Sequence, residues 1–174
     1  SVDLHGANIY VGPRAKNNTV IINGSARYGR VIVSQAKWPV PRKLAPVATT
    51  PLIGQVPPAV NGVIQLTPGR YIGTLTVGRG QTVRLTAGTY IFGRINLKEG
   101  RFEGDGTGPN EIYVRQRDAW FRNGAVATNH NDPTKLTFYL VDEFGTGDPD
   151  DGSSVDHFHM EDRAVVYAAV YGNI

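Results

Sequence analysis

The sequence predicts an all-β chain wound into a parallel β-solenoid, and three observations carry that prediction. A short unit is written twice, its apolar residues alternate in strand fashion, and glycines rather than helix caps separate the alternating runs. Leu66-Thr67-Pro68-Gly69-Arg70-Tyr71-Ile72 returns as Leu85-Thr86-Ala87-Gly88-Thr89-Tyr90-Ile91, offset by 19 residues. Leu75-Thr76-Val77 returns as Ile95-Asn96-Leu97, offset by 20, which puts one extra residue of the second copy near Phe92-Gly93. Each copy reads strand, corner, strand. A self-similar period near 20 residues with no helical pattern is the mark of coils that stack strand on strand.

The structural rung comprises Leu66, Pro68, Gly69 and Tyr71, matched by Leu85, Gly88 and Tyr90. Pro68-Gly69 suits a type II turn, in which proline pre-sets the first central residue and glycine accepts positive φ at the second. Ala87-Gly88 keeps the glycine. Tyr71 and Tyr90 are expected to ride one above the other in a common interior.

At 174 residues the chain is long enough for one domain with a sizeable core, and it is read as a single solenoid domain over 1–174. Its 21 glycines fall between short apolar runs, so they read as turns and not as disorder. No stretch approaches the length of apolar residues needed to span a bilayer, and Ser1-Val2-Asp3 is no signal peptide. With no cysteine there is neither a disulfide staple nor a thiolate metal site. The net charge of +3 is unevenly spread. Residues 1–60 carry seven Lys/Arg against one acid, and residues 118–174 carry three against ten. In a solenoid, sequence order maps onto position along the axis, so this gradient predicts a positive end, a negative end and head-to-tail self-association. The basic residues are dispersed and lack interleaved aromatics, so no nucleic-acid surface is expected.

In chain order, residues 1–35 alternate in strand fashion around Gly6, Gly12, Gly24 and Gly29. Residues 36–60 hold six prolines, which exclude an inner strand and predict an extended segment crossing the outside of the solenoid. The core follows over 61–117, with Phe102 extending the register 19 residues beyond Val83. Leu136-Thr137-Phe138-Tyr139-Leu140-Val141 is a near-continuous apolar run, as expected of a strand covered on both faces. Residues 145–154 form a glycine-rich acidic loop, and Val165-Val166-Tyr167-Ala168-Ala169-Val170-Tyr171 reads as a coil in progress before Ile174.

The paired rungs Leu66-Thr67-Pro68-Gly69-Arg70-Tyr71 and Leu85-Thr86-Ala87-Gly88-Thr89-Tyr90 resemble the L-x-P-G-x-Y rungs of bacterial surface domains associated with type IV and tight-adherence pilus systems. The proline-rich segment before the first rung fits that arrangement. The late run from Val165 to Gly172 fits it too, although Ala168 stands where a glycine is usual. The resemblance implies a right-handed parallel β-helix, secretion to the cell surface and a structural role in an appendage. It brings no catalytic residue.

Chemistry is sparse. Gly78-Arg79-Gly80 and the glycines of 104–108 lie between strands with no helix following, so they lack the helix N-terminus of a phosphate site. Asp148, Asp150 and Asp151 are the candidate ligands for calcium, though their spacing is not that of an EF-hand loop. His157 and His159 flank Phe158 and share one face of a strand. Asp105, Glu111 and Asp118, with Arg94, Arg101, Arg115 and Arg117, are the residues from which a polysaccharide-cleaving groove would have to be built. The principal expectation is a non-enzymatic, cofactor-free structural subunit outside the cell, partnered by itself or by other appendage subunits. The alternatives are an extracellular module that binds a glycan or host surface, and a β-helix enzyme.

Overall fold

The computed structural model describes residues 9–11, 31–33, 49–115, 118–140 and 157–171. Strands β1 (Ile9–Val11) and β2 (Val31–Val33) pair in parallel as a two-stranded sheet. Strand β3 (Leu52–Gln55) then precedes a first coil of β4 (Val63–Leu66), β5 (Gly69–Ile72) and β6 (Thr74–Val77). A second coil holds β7 (Thr82–Leu85), β8 (Gly88–Phe92) and β9 (Arg94–Lys98). The third holds β10 (Arg101–Gly104), β11 (Asn110–Val114) and β12 (Asp118–Arg122). The fourth holds β13 (Val126–Asn129), β14 (Leu136–Leu140) and β15 (His157–Met160), and β16 (Val165–Val166) and β17 (Ala169–Tyr171) begin a fifth. Equivalent strands stack into three parallel sheets: β4-β7-β10-β13-β16, β3-β5-β8-β11-β14-β17 and β6-β9-β12-β15. The result is a parallel β-solenoid of about four turns.

Alternation puts one side chain of each pair inside the coil. Leu66 pairs with Leu85, Val83 with Phe102 and Leu75 with Ile95, all fully buried or nearly so. Each such side chain contributes roughly 1.5–3 kcal/mol of burial. In the later coils an aromatic group fills the interior, with Phe121 set edge-on to Phe138 at 5.5 Å and Phe158 packed against both.

The rung residues behave as follows. Leu66, Tyr71, Leu85 and Tyr90 are buried in the common interior. The two tyrosines lie in the same sheet, but they do not stack on each other. In that sheet Gly69 pairs with Tyr90 and Arg70 with Ile91, a step of 21 residues rather than 19. Tyr71 therefore stacks on Phe92, with centroids 5.5 Å apart. The cause is the first corner, which takes Thr86 to Thr89 between Leu85 and Tyr90 but only Thr67-Pro68 between Leu66 and Gly69. One residue is returned at the next corner, where Thr74 pairs with Arg94, and the step is 19 again at Thr82 and Arg101. The extra length thus enters before Tyr90 and not near Phe92-Gly93.

What the tyrosines share is a hydrogen bond. Each phenol donates at 2.8 Å to the carbonyl four residues earlier, Tyr71 to Thr67 and Tyr90 to Thr86, and so satisfies a corner carbonyl from inside.

The predicted type II turn at Pro68-Gly69 is absent, because Gly69 has no positive φ and already belongs to β5. Glycine is needed there for proximity: a Cβ on Gly69 would lie 2.3 Å from the Ile53 side chain. Paired left-handed residues sit instead ahead of first-sheet strands and, at His130-Asn131, between the first and second sheets. Asn61-Gly62, Asn123-Gly124 and Asp162-Arg163 all have positive φ, and each turn is closed by a bond such as Ala125 N to Arg122 O at 3.1 Å. This pattern is type I′.

The proline-rich segment enters the description at residue 49. Its residues Leu52–Gln55 form the edge strand β3 beside β5, with a register shift between Leu52 and Gly54. Pro51 precedes the strand and Pro57-Pro58 follow it, so the prolines flank an edge strand and interrupt no inner one.

Candidate functional site

Two surfaces concentrate features that the interior does not explain: the ends of the stack, and the outer face of the third sheet.

Among the described residues, the exposed large apolar side chains are Leu52, Ile53, Val60, Ile72 and Val170. The first four belong to β3, the approach to β4, and β5, at one end. Val170 belongs to β17 at the other, where it pairs with the fully buried Phe138. Leu52 is 55% exposed, Ile53 49% and Val170 40%, whereas the middle coils show no such residue. Strands β3 and β17 are the two edges of the same sheet, so apolar side chains and open backbone edges coincide there.

On the third sheet, Thr76, Asn96, Trp120 and His159 form one outward column across four coils. His159 stacks on the Trp120 ring at 3.7 Å and 9° from the following coil. Arg122 lies 5.4 Å from the same ring and donates through Nη2 to Asn96 Oδ1 at 3.0 Å, in the preceding coil. The Trp120 indole donates to Asp118 Oδ1 at 2.5 Å, and Asp118 stands 3.9 Å from Arg94. Lys98 and Arg122 occupy directly paired positions on neighbouring strands. Among the described residues neither makes an ion pair, and the buried Arg122 Nε has no hydrogen-bond partner.

The groove sketched from Asp105, Glu111 and Asp118 does not form. Asp105 sits at the corner after β10, Glu111 faces outward from the second sheet and Asp118 from the third, because each strand of one coil faces a different side. Arg101 is committed to Glu103, and Arg94 stands 3.9 Å from Asp118. Asp105 instead accepts Thr107 N and Oγ1 at 2.9 and 2.6 Å, and these bonds hold its carboxyl below the usual range. The calcium candidates Asp148, Asp150 and Asp151 lie outside the described residues, as does Arg117.

The corner between the first and second sheets holds a buried amide ladder that sequence reasoning missed. Asn129 Nδ2 donates to Asn110 Oδ1 at 2.9 Å, and Asn110 Nδ2 donates to Thr86 O at 2.7 Å. The spacing of 19 between Asn110 and Asn129 was its available signal. On the outer face of the second sheet, Tyr113 stacks on Tyr139 at 4.8 Å, and burial pushes the Tyr113 phenol up to about 12.

No family model matches the chain, and neither a curated protein nor a solved structure matches it. The fold defines its class, a parallel β-solenoid.

Proposed function

We propose that the chain is a structural, non-enzymatic subunit of a bacterial surface appendage or filament, of the kind its L-x-P-G-x-Y rungs resemble, associating head to tail along the solenoid axis. The observation that carries this reading is that, among the described residues, the exposed large apolar side chains fall on the outer rungs, Leu52, Ile53, Val60 and Ile72 at one end and Val170 at the other. A second copy that set its β3 edge against β17 would continue the second sheet and cover Ile53 and Val170 together. The charge gradient along the sequence favours the same polarity, basic end against acidic end.

Sedimentation velocity across a concentration series is the test. The wild-type chain is expected to form species larger than the monomer, more weakly as salt screens the charged ends. Ile53→Asp is expected to return it to monomer while leaving its far-ultraviolet circular dichroism unchanged. A wild-type chain that stays monomeric at the highest attainable concentration would refute the proposal.

A further inference from the structure

We propose that the outer face of the third sheet binds a linear acidic polysaccharide, whose sugar carboxylates are held by Lys98 and Arg122 with Arg94 beside them. This proposal is independent of end-to-end packing, because the face runs along the flank of the solenoid and leaves both ends free.

Three observations support it. First, Lys98 and Arg122 stand opposite each other on adjacent strands, roughly 4.8 Å apart by strand spacing, with no carboxylate paired to either among the described residues. Like charges directly opposite destabilise a sheet unless something neutralises them. An anionic group between them does so, and the planar guanidinium suits a carboxylate. Second, Arg122 is held in place on this face, with Nη2 on Asn96 Oδ1 and the guanidinium 5.4 Å from the Trp120 ring, so its charge is pre-positioned for a ligand. Third, Arg94, Asn96 and Lys98 lie two residues apart on one strand and therefore point the same way, with the Thr74 and Thr76 hydroxyls on the coil before. Charges and hydroxyl-binding groups thus alternate over a flat face, which fits a polymer whose carboxylates and hydroxyls recur. A nucleic acid fits less well, because its bases need a free aromatic ring. Trp120 is flanked by His159 from one neighbouring coil and by Arg122 reaching toward the other.

Trp120 also supplies the readout. The chain has two tryptophans, so Trp38→Phe leaves Trp120 as the sole indole, with Arg122 against its ring. Titration of Trp38→Phe protein with a de-esterified oligogalacturonate is expected to change Trp120 emission saturably, while a neutral maltooligosaccharide of equal length does nothing. Lys98→Gln is expected to weaken binding at least tenfold without altering the melting temperature, and added NaCl to weaken it further. No saturable change, or an unaltered affinity in Lys98→Gln, overturns the proposal. Replacing Asp148, Asp150 and Asp151 by Asn separates a foreign polyanion from the chain's own acidic loop. Unchanged affinity supports the polysaccharide, whereas a tenfold gain, or a shift in Trp120 emission without any sugar, assigns the site to the loop and overturns it. Ile53→Asp protein should bind the oligogalacturonate as the parent does, so loss of assembly and loss of sugar binding remain distinguishable.

Discussion

Gly104→Ala tests the amide ladder directly. A Cβ at Gly104 would stand 2.3 Å from Asn110 Oδ1, 2.5 Å from Asn129 Cγ and 2.7 Å from Asn129 Nδ2. Gly104 has no positive φ, so the added methyl meets neighbours and not backbone strain. Both asparagines are fully buried and cannot swing into solvent. To admit the methyl, Asn129 Nδ2 must move, and its two hydrogens, shared among Gly108 O at 2.9 Å, Asn110 Oδ1 at 2.9 Å and Lys135 O at 3.1 Å, lose those acceptors. Losing two of these at about 1–1.5 kcal/mol each, with about 1–2 kcal/mol of overpacking, gives a cost of roughly 3–5 kcal/mol. Urea unfolding followed by circular dichroism measures it, and an unchanged m-value would show that the denatured state is unaffected. In Gly104→Ala/Asn129→Ala the two Asn129 contacts are gone and Asn110 Oδ1 is released from its Asn129 partner so that it can move, and the double variant should be less destabilised than the sum of the singles by about 1 kcal/mol or more. A single-variant cost below about 1 kcal/mol, or strict additivity, would refute the assignment of Gly104 to this contact.

Gly124→Ala provides the contrast. Its φ is +77° and a Cβ there would touch nothing within 4 Å, so the cost should be the conformational one alone, about 1–2 kcal/mol by the same urea assay. Tyr90→Phe removes the phenol from Thr86 O while Asn110 still serves that carbonyl, so thermal or urea unfolding should show a loss of about 1 kcal/mol. Alkaline unfolding should expose Tyr113. Its folded phenol titrates at about 12 against roughly 10 when unfolded, so the unfolded chain loses its proton first. Stability is therefore intact below pH ~10 and falls as pH rises toward ~12, by up to about 2–3 kcal/mol. Tyr113→Phe should flatten that decline in urea midpoints measured across the range, and Tyr90, also raised by burial, should contribute in the same direction.

The sequence made the winding legible because neighbouring coils in the middle of the chain keep nearly equal length. Val63, Thr82 and Arg101 follow one another at a constant step, and Leu66 and Leu85, like Ile64, Val83 and Phe102, appear where that step predicts an interior residue. The Tyr71–Tyr90 match was misleading because sequence alignment minimises gaps, whereas the sheet accepts a two-residue slip that preserves inside and outside. The Trp120 column was hidden for a related reason. Asn96 to Trp120 to His159 crosses corners of unequal size, so the three residues share a column without sharing a period. Gly69 was legible as an obligatory glycine but not as to cause, since the close neighbour, Ile53, comes from a strand that the prolines around it disguised.

The unequal length of the ladders between described strands has a mechanical consequence. In a solenoid the interstrand hydrogen bonds run along the axis, so tension applied end to end loads each boundary between coils in series. The second sheet joins β11 to β14 through five residue pairs but β14 to β17 through three, and the first joins β13 to β16 through only two. Among the described residues the two-pair ladders, β5 to β8 and β13 to β16, are therefore where such a load would part neighbouring strands first.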